Sequence, residues 1–174
     1  MTVASSVVCE GCGFEWSSIT PSQLPTRLRN ATTTFVDVLR TSPVALSARP
    51  TPERWSILEY AAHTRDVLIS VRERFVLASI VDGHIGTPIF RDERVDLGFY
   101  KLDTPEEVAE ELQASSRLFV RTFEALPAGF ENRVFTYSPI SKADVTILWA
   151  GAQALHECEH HLGDVRENER LLGD

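Results

Sequence analysis

The chain has 174 residues, enough for one domain with its own core, and 43% of them are hydrophobic. Acidic residues outnumber basic ones 25 to 17, for a net charge of −8, which argues against binding nucleic-acid phosphates or an anionic membrane surface. No apolar run approaches the roughly 20 residues that span a bilayer, the start Met1–Val8 lacks the basic end of a signal peptide, and three cysteines do not make a secreted disulfide framework. A cytoplasmic protein is expected.

Residues 1–20 read as a separate N-terminal segment, with Cys9-Glu10-Gly11-Cys12-Gly13-Phe14 as its notable feature, and residues 21–174 as the main domain. The first helix is predicted from Ser22 to Arg40, with Pro25 near its first turn, where a missing N–H does no harm. The second begins at Ser56-Ile57-Leu58-Glu59, a Ser-x-x-Glu capping box, and carries Ile57, Ala61, Leu68, Val71 and Phe75 at helical spacing toward Val81. From His84 to Asp103 glycines, a proline and mixed charge predict a long loop with a short helical turn, of a length that loops reach mainly when they carry function. Thr104-Pro105-Glu106-Glu107 opens the third helix, which runs to Leu126. Val134–Tyr137 reads as a short extended piece. The fourth helix is predicted to start between Ser141 and Asp144 and to end near Leu172. The fold class expected is all-α, a four-helix bundle with a long loop between its second and third helices.

Three of the five histidines fall together in His156-Glu157-Cys158-Glu159-His160-His161. Residues four apart share a helix face, so His156 and His160 project together. The stripe they are predicted to share is the one of Val145, Leu148, Trp149 and Ala152, with His161 turned more than a right angle away. Two imidazoles on a core-facing stripe need a partner, and a divalent metal serves both. Catalytic zinc sites usually take three protein ligands and keep one position open. His63, mid-way along the second helix, is the best third candidate, with His84 in the loop as the reserve. The ligand set expected is therefore His63, His156 and His160. Glu157 or Asp66 could hold a ligand's other ring N–H, and Arg166 and Asp164, near the same end of the last helix, are candidates for binding a polar substrate.

The same segment matches H-E-x-x-H, in which Glu157 would be the base of a zinc peptidase. Arg166 stands where the extended pattern needs a further histidine, little chain follows for a distal ligand, and no substrate-binding strand precedes the motif.

Trp55-Ser56 leading to Glu59 and Ala62-His63, together with His156-x-x-x-His160-His161 on the final helix, resembles the signature of DinB-like (DinB/YfiT) metalloproteins over about residues 22–172. The resemblance implies a four-helix bundle with a three-histidine metal site, which carries over to His63, His156 and His160. It also implies a divalent metal, zinc first and nickel among the others. Characterised members of the wider group include thiol S-transferases and a maleylpyruvate isomerase, which use bacillithiol or mycothiol. Arginine supplies fifteen of the seventeen basic residues, a skew of GC-rich coding that favours mycothiol as the cosubstrate. The function expected is transfer of a low-molecular-weight thiol to a small electrophile, in detoxification or natural-product metabolism. The alternatives are a non-catalytic, stress-associated metal protein, which would be a homodimer with a structural metal, and the zinc peptidase.

Cys9-x-x-Cys12 leaves three readings open: an accessory metal site, a reversible disulfide, or an inert hook. A full zinc set needs two more ligands, and Cys158, the remaining thiol, is predicted to point away from the histidine stripe. Trp16, Phe35, Phe75, Phe119, Phe123 and Trp149 are assigned to the core, while Phe90, Phe99 and Tyr100 are candidates for lining the entry to the metal. No phosphate-binding glycine loop or serine-nucleophile motif is present.

Overall fold

The computed structural model describes residues 8–173, so most of the apolar start read above against a signal peptide lies outside the described residues. Both anticipated capping boxes form. At the start of α2 (Ile57–Ile80) the Ser56 hydroxyl accepts from the Glu59 N–H while the Glu59 carboxylate accepts from the Ser56 N–H. Thr104 and Glu107 make the same exchange at the start of α4 (Pro105–Glu124), which has Pro105 in its first turn. Each box satisfies two N–H groups that have no partner inside the helix. The other long helices are α1 (Gln23–Thr41) and α5 (Ile147–Gly173), and the loop between α2 and α4 holds the short α3 (Arg91–Asp96).

The four long helices close into a bundle in which α1 and α2, consecutive in the chain, sit diagonally. Each packs against α4 and α5, and they scarcely touch one another. Phe35, Phe75, Phe119, Leu28, Leu68, Leu112 and Leu155 fill the interior and are almost completely buried. Burying a side chain of this size contributes about 1.5–3 kcal/mol. At Gly151 α5 approaches α1 so closely that an added Cβ would lie 2.5 Å from Leu24 Cδ2. The two entry aromatics Phe90 and Phe99 are exposed, whereas Tyr100 is buried. Trp16 and Trp149 are half-buried and stack on each other with ring centroids 6.4 Å apart.

The last helix starts later than predicted. Asp144–Thr146 is not its first turn but a strand, β2, paired antiparallel with β1 (Val134–Thr136), with Phe135 opposite Val145 and both buried. The β-branched Val145 and Thr146 pack well on a pleated surface, and Phe135 supplies the cross-strand partner. This hairpin anchors the long loop, since Thr136 donates its N–H to the His84 carbonyl and accepts from the Gly86 N–H. The far end of the loop is tied to α2 by Asp66, whose carboxylate meets Arg65, Arg94 and the Tyr100 hydroxyl. Among the described residues no helix is long and apolar enough to cross a membrane.

Candidate metal centre

Helices α2 and α5 lie side by side, and each turns histidine toward the other. His63 is 1% exposed in the second turn of α2, and His161 is buried on α5. Between them stands Glu157, one turn before His161. Its Oε2 lies 3.3 Å from His63 Nε2 and 3.2 Å from His161 Nε2. One ligand atom from each of the three falls within 4.8 Å of the others. Two of the remaining atoms are held from outside: His161 Nδ1 pairs with Asp164 Oδ2 at 2.9 Å, and the Gln153 amide donates to Glu157 Oε1 at 2.7 Å, while His63 Nδ1 has no hydrogen-bond partner among the described residues. Trp55 and Tyr60 close one side, with ring centroids 5.4 Å from His63 and 5.0 Å from His161 respectively.

The electrostatics of this trio suit a cation. Burial works to raise the Glu157 pKa, but the His161 and His63 imidazoles beside the carboxyl outweigh it and hold it ionised. Burial works to lower that of His161, and is outweighed by Asp164 and Glu157, which favour its charged form. Placed between two carboxylates, His161 can face both only as a cation, donating from each nitrogen. A divalent metal removes that requirement: Nδ1–H stays on Asp164, while the Nε2 lone pair, Glu157 and His63 face the ion. A ligand histidine whose other nitrogen is fixed by a carboxylate is the usual outer arrangement of such sites. The residues therefore fit a metal with three protein donors.

A second cluster occupies the neighbouring face of α5. The N-terminal segment folds over the helix so that Cys9, Cys12, His156 and His160 offer ligand atoms all within 4.8 Å of one another. Phe14 and Trp16 cover His156, with ring centroids 5.3 and 4.5 Å away. Burial, helped by the nearby His160 and His161, holds the His156 pKa below the usual imidazole value.

The expected set of His63, His156 and His160 is thus not brought together. His63 belongs with Glu157 and His161, and the other two belong with the cysteines. The reason is the phase of α5. Its buried face follows Ile147, Gly151, Ala154, Cys158, His161, Val165 and Asn168, whereas Leu148 and Trp149, used to set the expected stripe, are half-buried and Val145 lies in β2. The correct phase was signalled by Cys158, a small, readily buried side chain that here is fully enclosed. Glu157, read as an outer partner or a peptidase base, sits among the donors. Asp66 is engaged with Arg65, Arg94 and Tyr100, away from the histidines. Of the two substrate candidates, Asp164 orients His161 and also meets Arg54, while Arg166 is exposed. His84 joins neither donor cluster; it stacks on Phe135 and lines a cavity of about 270 Å³ with Asp66, Arg74 and Arg94.

Two clefts reach the His63–Glu157–His161 trio. One, of about 140 Å³, runs from His63 and Glu157 past Val67, Arg74 and Tyr137. The other, of about 190 Å³, opens from His161 and Asp164 between Trp55 and Tyr60. Arg91, at the start of α3, borders both. Arg74 is buried with its guanidinium 4.2 Å from the Tyr137 ring centroid and one amino group on the Thr87 carbonyl, leaving Nε without a partner among the described residues. The sequence offered no sign of Arg74, because an arginine within an apolar helix stripe reads as an ordinary surface charge.

A bundle whose second and last helices bring histidine and carboxylate donors together in its interior defines a class of metal-binding helical protein. The chain belongs to the DinB superfamily, whose family model matches residues 26–165. Among solved structures it is similar to YfiT from Bacillus subtilis, described as "a probable metal-dependent hydrolase with an unusual four-helix bundle topology". The two share 18% identity with a TM-score of 0.79, over 90% of this chain and 91% of that one. No match was found among curated protein sequences.

Proposed function

We propose that the protein is a metal-dependent enzyme that transfers a low-molecular-weight thiol, mycothiol first, to a small anionic electrophile. The divalent metal, zinc first, is held by His63, Glu157 and His161. The observation that carries this reading is the convergence of two buried histidines and the half-buried Glu157 on a cleft lined by Arg74, Arg91 and Tyr137. Bound there with a position left open, such a metal lowers the pKa of a small nucleophile so that it reacts at neutral pH.

The chain's own residues supply the rest. Asp164 keeps the proton of His161 on Nδ1, which aims Nε2 inward. Gln153 holds one oxygen of Glu157 and so turns the other toward the histidines. Arg74 and Arg91 give an anionic group a place to bind, the first through an unpartnered Nε. Val67, Val71 and Ile89 limit water along the cleft, which favours a soft thiol nucleophile over solvent.

A second reading is hydrolysis, with water as the nucleophile. Two histidines and one glutamate form the donor set of several zinc hydrolases, and the description of YfiT points the same way. The peptidase pattern gains nothing from the structure, because Glu157 faces His63 and His161 while His156 and His160 face the cysteines.

The deciding experiment is turnover against a panel of small electrophiles and esters, with mycothiol, bacillithiol or no thiol. Thiol-dependent conjugation lost in His63→Ala and His161→Ala, with helical content kept, supports transfer. Metal-dependent turnover without thiol replaces it with hydrolysis. Full activity in both variants overturns the assignment of the metal centre.

A further inference from the structure

The geometry points to a second metal site in this chain: a mononuclear zinc centre with Cys9, Cys12, His156 and His160 as its four donors. It is independent of the proposed enzymatic reading and stands if that reading fails.

The donors come from two segments almost 150 residues apart in sequence, yet their ligand atoms all lie within 4.8 Å of one another. Zinc–sulfur bonds of about 2.3 Å and zinc–nitrogen bonds of about 2.0 Å in a tetrahedron place donors about 3.3–3.8 Å apart. Donor atoms gathered this closely need move only about 1 Å to form such a shell. Cys9 Sγ already lies 3.7 Å from His160 Nδ1. His160 Nε2, on the far side of the ring, is 3.8 Å from Asp164 Oδ2, the outer carboxylate that a ligating histidine commonly has.

The cysteine turn is built for ligation. Gly13, at φ +72°, donates its N–H to the Cys9 carbonyl at 2.7 Å and closes a tight loop that L side chains seldom adopt. The backbone N–H groups of Cys12 and Gly11 face the Cys9 sulfur. Gly11 itself lets the turn approach the helix, since a Cβ there would stand 3.2 Å from His160 Cε1.

His156 is the strongest sign of a missing partner. Both of its ring nitrogens are buried and neither has a hydrogen bond among the described residues. Leaving a desolvated imidazole unpaired is unfavourable, and a Cys9–Cys12 disulfide would leave it so. Four protein donors close the shell, which marks a structural site in contrast to the three-donor centre beside it. Its role is to pin the cysteine turn and the short 3-10 helix Trp16–Ser18 that follows it onto α5.

The test is a Co(II) and zinc titration of the metal-free, full-length protein under reducing conditions. The wild type should give the near-ultraviolet charge-transfer band of thiolate bound to tetrahedral Co(II). The Cys9→Ser/Cys12→Ser variant should lose that band and one equivalent of zinc. His63→Ala/His161→Ala should keep the band and lose the other equivalent, so the two centres are read separately. Should the cysteine variant fail to fold, alkylation of the wild type decides: zinc should slow modification of Cys9 and Cys12 at least tenfold. No thiolate band, equal alkylation rates with and without zinc, or a Cys9–Cys12 disulfide in protein kept under reductant would each overturn the site.

Discussion

His160 and His161 are chain neighbours whose ring centroids lie 5.3 Å apart with planes at 82°, and each faces a different donor cluster. The arrangement follows from the helix. One residue turns the side chain by about 100°, and four residues bring it back to the same face. The run His156-Glu157-Cys158-Glu159-His160-His161 therefore holds two interleaved pairs, His156 with His160 and Glu157 with His161. The first pair meets the cysteine turn and the second meets His63 on α2, with α5 as the shared wall.

Glu157→Gln should separate the two faces. The amide cannot supply the negative charge that offsets the cation, so affinity for the metal of the His63–His161 centre should fall roughly tenfold or more. The cysteine-bound equivalent should stay. Competition with a chelator, read separately for cysteine-bound and cysteine-free metal, gives both affinities. Equal loss from both centres would contradict the division of donors described here.

Asp164→Asn tests the outer carboxylate. Its Oδ2 accepts from His161 Nδ1, and Arg54 lies within 3.3 Å of its other oxygen. Asparagine can keep a weaker hydrogen bond but no longer favours one tautomer as strongly. Metal affinity or turnover should drop about 10–100-fold while the fold persists, as read by chelator competition and circular dichroism. An unchanged affinity would mean that His161 does not ligate through Nε2.

The bundle itself was legible in the sequence because its signals are local. The capping boxes at Ser56 and Thr104 mark helix starts by short-range chemistry, and the apolar spacing on α2 needs no knowledge of its neighbours. The donor sets were not legible in the same way. A 100° phase decides whether His160 or His161 faces His63, and that phase is set by the side of α5 that packs on α1 and α2, which Val145, a residue of β2, cannot report. The β1–β2 pairing takes Val145 out of the helix altogether. Cys9-x-x-Cys12 leaves a metal site, a disulfide and an inert hook open in sequence, because the two histidines that come close to it lie almost the whole chain away and no spacing rule joins them. The Asp66 network that fixes the loop was equally hidden, since it joins residues of α2, α3 and the segment after it.

Gly151→Ala probes the crossing of α1 and α5. The new methyl would stand 2.5 Å from Leu24 Cδ2 and 3.4 Å from Phe75 Cζ, both on fully enclosed side chains. Overpacking of this kind costs about 1–3 kcal/mol, against up to about 1 kcal/mol gained in helix propensity. A net loss of about 1–2 kcal/mol is expected in urea unfolding, with both metal equivalents retained.

Asp66→Ala should loosen the wall of the cleft rather than the bundle. Without the carboxylate, Arg65, Arg94 and the Tyr100 hydroxyl lose their common acceptor, at a cost of about 1–3 kcal/mol. Since Arg91 lies on the same short helix as Arg94, the loss should appear as faster amide exchange across residues 91–103 and a higher KM, with metal content unchanged. A uniform rise in exchange throughout the bundle would show that Asp66 supports the whole fold instead.

Trp16→Phe tests whether the two centres communicate. Trp16 rests against His156 and donates from Nε1 to Gln153 Oε1 at 2.8 Å, and the Gln153 amide donates in turn to Glu157 Oε1 at 2.7 Å. The path runs from the cysteine turn to a donor of the other centre through two hydrogen bonds. Phenylalanine keeps the apolar cover but removes the first donor, so Gln153 can rotate and Glu157 is held less firmly. Metal affinity at the His63–His161 centre should fall about threefold to tenfold, less than for a residue that touches a ligand directly. Gln153→Ala should weaken it by a similar amount, and the double variant by little more than either, because both changes break one chain. Additive losses would show that Trp16 acts through packing alone.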